Sequence, residues 1–583
     1  MSGLTQEQQQ VVDAPMMPLC VIACAGSGKT KTAVHRLVRI RRSLGEARGR
    51  VALLSYSNVA VNTFREAYQD LATNLPSNAG RSRVHIDTLD GFITTNIVRP
   101  HSHRTMRSSR APFLVSGGET FLQGFTFATS SFPRPITALQ LALVEGEEAF
   151  FHSFNDQTEL VNTSIARSLI TRLGRTGAYT HELGRYWAYR TLSEQPEILA
   201  ALVRRYPQIV IDEAQDIGSV HQCILELLIS AGCCVTLIGD PNQGIYEFAG
   251  ATGEFLIAYQ QRGDVQRYSL EQNFRSAPSV VALANVLCGR SDVAARSAPG
   301  SLHGAFFTGY KRDEHTQLIT AFRGAMSAAS ANVTRSAVLC RGQALANKLR
   351  GEKEPAGQGV VKAFAAAAVL RDQQNDFLKA FHRVAIAVVA LLEDAPHGLL
   401  SLITQPSGDA QGRALRKTLW TFTRDAHTGL PSSLLIANSE WHSSLLARTR
   451  ALLADLECRF GLKPTMNIGR KLSTKELPNV PLASPEDLSS RNAARLRIDT
   501  VHKAKGESLD AVLYVTLKEH ARALLDGATT EVGRIGYVAA TRARDLLWVA
   551  VPHNALRELR PMFTAKGFVE ITAADTRSAL VDI

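Results

Sequence analysis

Between the apolar run Leu19-Cys20-Val21-Ile22-Ala23 and a helical pattern beginning at Lys29 lies the text Ala23-Cys24-Ala25-Gly26-Ser27-Gly28-Lys29-Thr30. It fits the phosphate-loop pattern G-x-x-x-x-G-K-[ST], with Ala23 in place of the first glycine. The composition has a physical reason. Small residues let backbone N–H groups close on phosphate oxygens, and the N-terminus of the next helix adds a favourable dipole. Ala25, Gly26, Ser27 and Gly28 are therefore candidate cradle residues. Lys29 is placed to reach the β- and γ-phosphates of a nucleotide, and the Thr30 hydroxyl to ligate Mg2+. Such a loop needs a buried strand before it and a helix after it, which commits the first part of the chain to a parallel α/β sheet.

The complementary half lies at Ile209-Val210-Ile211-Asp212-Glu213-Ala214-Gln215-Asp216. Three β-branched residues that run into adjacent carboxylates read as a strand delivering acid to the phosphate site. Asp212 is placed to hold Mg2+ through water, and Glu213 to polarise the attacking water. An acidic turn after a strand is common; downstream of a phosphate loop it becomes informative.

Strand and helix patterns alternate over residues 1–95, pause, and resume at Ile209–Ile211 and Val235–Ile238. A second α/β pattern has candidate strands at Ala337–Leu339, Ala511–Val515 and Leu546–Val551. The division expected is 1–95 with 200–275 as a first α/β domain and 276–350 with 491–583 as a second. Residues 96–199 and 351–490 read as largely helical insertions. At 583 residues the chain has room for about four compact units, which agrees with this count.

The 65 Lys+Arg against 53 Asp+Glu leave +12, a surplus that speaks of partners and not of fold. Nucleic acid and an anionic membrane are the two candidates. The membrane is the weaker, because apolar stretches such as Val384–Leu392 fall well short of the ~20 residues of a spanning helix. The N-terminal text has neither the basic start nor the apolar core of a signal peptide, so a cytoplasmic protein is expected. Eight cysteines with no C-x2-C pair argue against a zinc knuckle or a disulfide framework.

The order and text of the motifs resemble those of the UvrD/Rep-like superfamily 1 DNA helicases. Leu4-Thr5-Gln6-Glu7-Gln8 is similar to the family's adenine-reading motif, and Ser55-Tyr56-Ser57-Asn58 and Thr88-Leu89-Asp90-Gly91-Phe92 to its motifs Ia and Ib. Asp212 to Asp216 resembles motif II, Gly239 to Ala251 motif III, and Leu270 to Ser276 motif IV. Thr500 to Gly506 and Tyr537 to Ala543 resemble motifs V and VI. The matches span nearly the whole chain, with both insertions unmatched.

The resemblance implies two RecA-like motor domains, ATP and Mg2+ as cofactors, and 3′→5′ movement on single-stranded DNA. It assigns Gln8 to reading adenine, Phe274 to stacking on it, and Gln243 to sensing the γ-phosphate. Arg275 and Arg542 would reach that phosphate across an interdomain cleft. Tyr56, Tyr246, Phe248, Thr500 and His502 occupy positions that in the family face the strand. Aromatic faces suit a motor that ignores sequence, since every base can stack. Two acid-free basic stretches, Arg99, Arg104, Arg107 and Arg110, then Arg459, Lys463, Arg470, Lys471 and Lys475, are candidate phosphate tracks.

The departures from the pattern concern the strand. Val59 stands for the usual Lys of motif Ia, Asp90 for the His of motif Ib, and Phe248 and Ala249 for the Trp and Arg of motif III. Ser508 stands where the Glu of motif V contacts ribose. After motif VI only Asp545 to Ile583 follows, too short for the nuclease domain of some relatives. Tyr179-Thr180-His181-Glu182-Leu183 and Lys505-Gly506-Glu507-Ser508 look like compact UvrD-type proteins of anti-phage defence that pair with a nuclease, such as the Gabija helicase subunit. The alternative expectation is thus a DNA- and nucleotide-sensing ATPase subunit that regulates a partner nuclease and unwinds little.

Overall fold

The computed structural model describes residues 3–571 apart from 45–48, 73–82, 116, 118, 131, 145, 155–156, 248–249, 312–313, 351–355, 397–398, 405–409 and 484–495. The chain opens with helix α1 (Gln6–Asp13), strand β1 (Leu19–Ala23) and the phosphate-loop helix α2 (Lys29–Ser43). Strand β2 (Val51–Ser55), helix α3 (Asn58–Ala72), strand β3 (Val84–Thr88) and the short helix α4 (Leu89–Ile93) follow. The first insertion contains an antiparallel meander, β4 (Gln140–Val144), β5 (Glu147–Phe154) and β6 (Gln157–Val161), and the helix α5 (His181–Glu194). The chain then returns through β7 (Gln208–Asp212), α6 (Ser219–Ser230), β8 (Cys234–Gly239) and β9 (Gln266–Leu270). The first sheet has the order β9-β1-β8-β7-β2-β3, all parallel.

Period-two alternation splits this sheet's side chains between two faces. Leu19, Val21, Leu53, Val210 and Ile238 pack against α1, α2 and α3. Cys20, Ala52, Leu54, Ile209, Ile211 and Leu237 join a larger core that runs on into the first insertion through Phe150, Leu173 and Trp187. That insertion is therefore welded to the first sheet. It is not purely helical, because the meander lies among its helices.

The second sheet contains β10 (Gly304–Tyr310) and β11 (Ala337–Cys340). The chain then leaves for a second insertion, helical in its main elements α7 (Gly359–Asp372), α8 (Phe377–Val389), α9 (Ala410–Arg424) and α10 (His442–Phe460). It returns as β12 (Arg497–Thr500), β13 (Leu509–Val515), α11 (Glu531–Arg542), β14 (Ala543–Pro552) and β15 (Val569–Glu570). The order is β12-β11-β13-β14-β10-β15, again parallel. The second insertion has a core of its own, built on Phe364, Phe381, Leu419, Trp441 and Leu445. Among the described residues no helix is long and apolar enough to cross a membrane.

Both sheets include strands that the apolar runs do not announce. β3 (VHIDT), β9 (QRYSL) and β12 (RIDT) are edge strands with half-polar text. A strand paired on one side and partly wetted carries alternating polar residues, so its hydrophobic signal is weak.

Candidate nucleotide and strand site

Residues 23–30 form a tight loop that joins β1 to α2. Gly26 and Gly28 have φ of +74° and +80°, a region glycine enters without steric cost. A Cβ on Gly26 would lie 2.6 Å from Cβ of Arg275, and Phe274 donates its backbone N–H to the Gly26 carbonyl at 2.9 Å. Ser27 Oγ donates to the Cys24 carbonyl at 2.8 Å. Ala25 and Lys29 are buried in the same turn.

Gln8 closes the loop from the side. Its Oε1 accepts from Thr5 N (3.1 Å) and Thr5 Oγ1 accepts from Gln8 N (3.3 Å), the reciprocal capping box of α1. Its Nε2 donates to the Ser27 carbonyl at 2.9 Å. Phe274, beside the loop, keeps an exposed ring, which leaves a face for stacking.

Asp212 and Glu213 stand at the end of β7. Glu213 is held at φ +56°, in the left-handed region that costs a non-glycine residue about 1–3 kcal/mol and recurs at functional sites. Burial and the Glu213 charge push the Asp212 carboxyl up, against Lys29 and a hydrogen bond from Thr30. Burial also opposes the charge on Glu213, but Lys29, Lys505 and Arg542 outweigh it and hold that carboxyl below its ordinary value. Among the described residues Asp212 Oδ1, which is buried, has no hydrogen-bond partner. A lone buried carboxylate oxygen beside a threonine hydroxyl fits Mg2+, which takes one or two carboxylates together with substrate phosphates and water. Among the described residues no group of three or more His, Cys, Asp or Glu forms a ready-made cage.

Two arginines face these carboxylates, Arg542 from the second sheet's side and Arg275 from the segment that follows β9. Arg542, at the end of α11, donates from Nη2 to Gln243 Oε1 at 2.7 Å, while Gln243 Nε2 donates to Asp240 Oδ2 at 2.8 Å. Arg275 donates from Nη1 to the Thr541 carbonyl at 3.0 Å. Burial and the adjacent Arg542 push the Arg275 guanidinium down to about 9, and burial lowers Arg542 as well. Two guanidiniums side by side that spend their hydrogen bonds on carbonyl and amide oxygens suit a polyanion.

Of the residues expected to meet the strand, Tyr56 rests edge-on against His221 with ring centroids 5.7 Å apart, and its buried hydroxyl has no partner among the described residues. Tyr246 lies half-buried between His502 (5.7 Å, tilted) and the Lys505 ammonium (4.8 Å from the ring centroid). His502 Nε2 is 3.1 Å from the Ile245 carbonyl, and burial lowers its imidazole. Thr500 is buried at the end of β12. Phe248 lies outside the described residues. Arg99, Arg104, Arg107 and Arg110 are exposed, as are Arg459, Lys463, Arg470, Lys471 and Lys475.

Three contacts around the site are not visible in the motif text. Lys505 Nζ donates to both oxygens of Asp216 (2.6 and 2.7 Å) and to the Gln243 carbonyl (2.8 Å). Arg534 donates to the Gly244 carbonyl and to Glu247 Oε2, both at 2.6 Å. Asp90 accepts from Arg185 at 2.8 and 2.7 Å and lies 2.9 Å from His221 Nε2, so the residue that departs from the family pattern is tied to the first insertion. Asp216 and Lys505 sit inside recognisable motifs; their partnership spans 289 residues and only folding reveals it.

A phosphate loop and an acidic strand end on one parallel sheet, faced by Arg542 at the rim of another, define a two-sheet phosphate-loop motor architecture. Residues 4–122 and 178–263 match the UvrD/REP helicase N-terminal domain, so this part of the chain is similar to UvrD/Rep-like superfamily 1 proteins. It is 27% identical over 321 residues to the ATP-dependent DNA helicase UvrD2 of Mycobacterium tuberculosis (strain ATCC 25618 / H37Rv), covering 49% of this chain and 43% of that protein. It is 24% identical over 298 residues to DNA helicase II of Haemophilus influenzae, covering 49% and 40%. Against the ATP-dependent DNA helicase PcrA of Leuconostoc citreum the identity is 22% over 303 residues, covering 49% and 39%. The matched part spans about two-fifths of the length of these relatives.

Proposed function

We propose that the chain is an ATP-dependent translocase or helicase on single-stranded DNA, moving 3′→5′ as the likeness to UvrD/Rep proteins implies. The observation that carries this reading is the meeting of Glu213, Gln243 and Arg542 at one point between two sheets. In this reading residues 1–95 with 200–275 and 276–350 with 491–583 are the two motor domains, and 96–199 and 351–490 are the insertions.

Lys29 and the loop amides bind the phosphates, and Glu213, kept ionised by cations from both sheets, accepts a proton from the attacking water. Thr30 and Asp212 would hold Mg2+, which offsets charge on the phosphates. Arg275 and Arg542 stabilise the charge that shifts as the γ-phosphoryl group leaves, a role worth 10³–10⁵ in rate, or about 4–7 kcal/mol. Gln243 touches Arg542 and precedes Tyr246 by three residues, so a change at the phosphate reaches the strand face through one short segment.

The test is ATP hydrolysis with and without single-stranded DNA, for the wild type, Lys29→Ala and Glu213→Gln. DNA-stimulated turnover that both substitutions abolish is expected. Turnover indifferent to DNA and to both substitutions sinks the proposal.

The capture of Asp90 by Arg185 and His221 favours a second reading, in which the strand grip is weakened and the chain senses DNA and ATP on behalf of a partner nuclease. DNA-stimulated hydrolysis without strand displacement, alone or with that partner, would select it.

A further inference from the structure

The helix that carries Lys29 and Thr30 also carries Arg36, which is fully buried and among the described residues bonds to carbonyl and hydroxyl oxygens and to no carboxylate. Nη1 donates to the carbonyls of Val11 (2.9 Å) and Ala14 (3.0 Å), and Nη2 to that of Pro15 (3.0 Å). Nε donates to Thr236 Oγ1 on β8 at 3.3 Å. One guanidinium therefore ties together the phosphate-loop helix, the strand that leads to Gln243, and the C-terminal end of α1. Burial pushes it down to about 10, so it stays cationic at neutral pH.

The arrangement is specific to α1. This helix has only 8 residues, too few to hold its shape alone. Its N-terminus is closed by the Thr5–Gln8 capping box, which orients the Gln8 amide towards Ser27. Its C-terminus has no such device of its own. The last carbonyls of a helix lack intrahelical partners and carry its negative dipole end, and a buried cation satisfies both needs. Without Arg36 the carbonyls of Val11 and Ala14 would be left buried and unpaired.

We propose that Arg36 is a positioning residue for base recognition: it fixes α1 against the phosphate loop, and thereby fixes Gln8 where the nucleotide base is read. This rests on the ATP reading above and deepens it. Arg36 touches neither phosphate nor base, so its loss should blur the choice among nucleoside triphosphates without disabling hydrolysis.

The experiment compares kcat and KM for ATP and UTP in the wild type, Arg36→Lys, Arg36→Met, Gln8→Ala and the double variant Gln8→Ala/Arg36→Lys. Expected is a drop of about 10-fold or more in the ATP-over-UTP ratio of kcat/KM for Arg36→Lys, with kcat at saturating ATP within about threefold of wild type. Gln8→Ala should show the same drop, and the double variant no further loss, because the two residues act in series. If Arg36→Met fails to fold, Arg36→Lys, which keeps the charge and part of the bonding, carries the test.

Unchanged base preference in Arg36→Lys, losses that add to those of Gln8→Ala, or an equal fall in kcat for both nucleotides each overturns the inference. Lys29→Ala separates the two levels. If it leaves hydrolysis intact, the functional reading itself fails; if it abolishes hydrolysis while Arg36→Lys keeps its base preference, only the role of Arg36 fails.

Discussion

Asp216 is an enclosed carboxylate whose partner, Lys505, arrives from the other sheet. Removing one member of a buried pair costs about 3–5 kcal/mol, because the other charge is stranded, whereas removing both costs much less. Lys505→Met is therefore expected to lower the urea midpoint strongly, and Lys505→Met/Asp216→Leu to recover most of the loss. Asp90 obeys a different balance. Burial opposes its charge, but hydrogen bonds from Arg185 and His221 prevail and hold the carboxyl well below the usual range. A depressed folded-state pKa gives stability that is present above the unfolded value near 4 and is lost as pH falls through the acid range. Asp90→Asn should cost about 1–2 kcal/mol at pH 7, a modest figure because the side chain is partly solvated. Denaturant titrations of the two proteins should begin to converge only below about pH 4 and go on converging as the pH falls further.

The phosphate loop is an element whose form follows from packing as much as from ligand. Gly26 is needed twice, for its positive φ and because the 273–275 segment lies against it. Gly26→Ala should force that segment away and carry Arg275 with it, so kcat should fall by about 10²–10⁴ while the protein remains folded, as steady-state kinetics and circular dichroism would show. At this scale the sequence was legible where an element is buried on both sides. The runs at Leu19–Ala23, Ile209–Ile211 and Ala511–Val515 correspond to interior strands, while the polar texts of β3, β9 and β12 do not announce strands at all. The latter owe their form to a neighbour's backbone, which supplies the hydrogen bonds their side chains do not advertise. In the first insertion β6 (QTELV) is likewise an edge strand with polar text and an exposed Leu160.

For the whole molecule, the insertions differ in how they are attached. The first shares the core of its sheet, and the second has a separate one. Leu445→Ala, at a fully buried site in that separate core, should destabilise the second insertion by about 2–5 kcal/mol while KM for ATP stays unchanged. Hydrogen exchange resolved by segment, together with nucleotide kinetics, checks both halves of that statement. The surplus of +12 acts at this scale too. If Arg104, Arg107 and Arg110 track the strand, replacing all three by alanine should weaken DNA binding evenly across sequences and reduce the salt slope by about 2–3.

By itself the sequence determined the two-sheet class, the phosphate loop and the carboxylates beside it, because these depend on contiguous residues whose backbone geometry is local. Tertiary structure decided the rest. The pairing of Lys505 with Asp216, the reach of Arg542 to Gln243, the grip of Arg36 on α1 and the seating of Asp90 between Arg185 and His221 join segments far apart in the chain. Each is an enclosed or partly enclosed charge whose position depends on what folding brings within about 3 Å, and no pattern in one stretch of sequence carries that information.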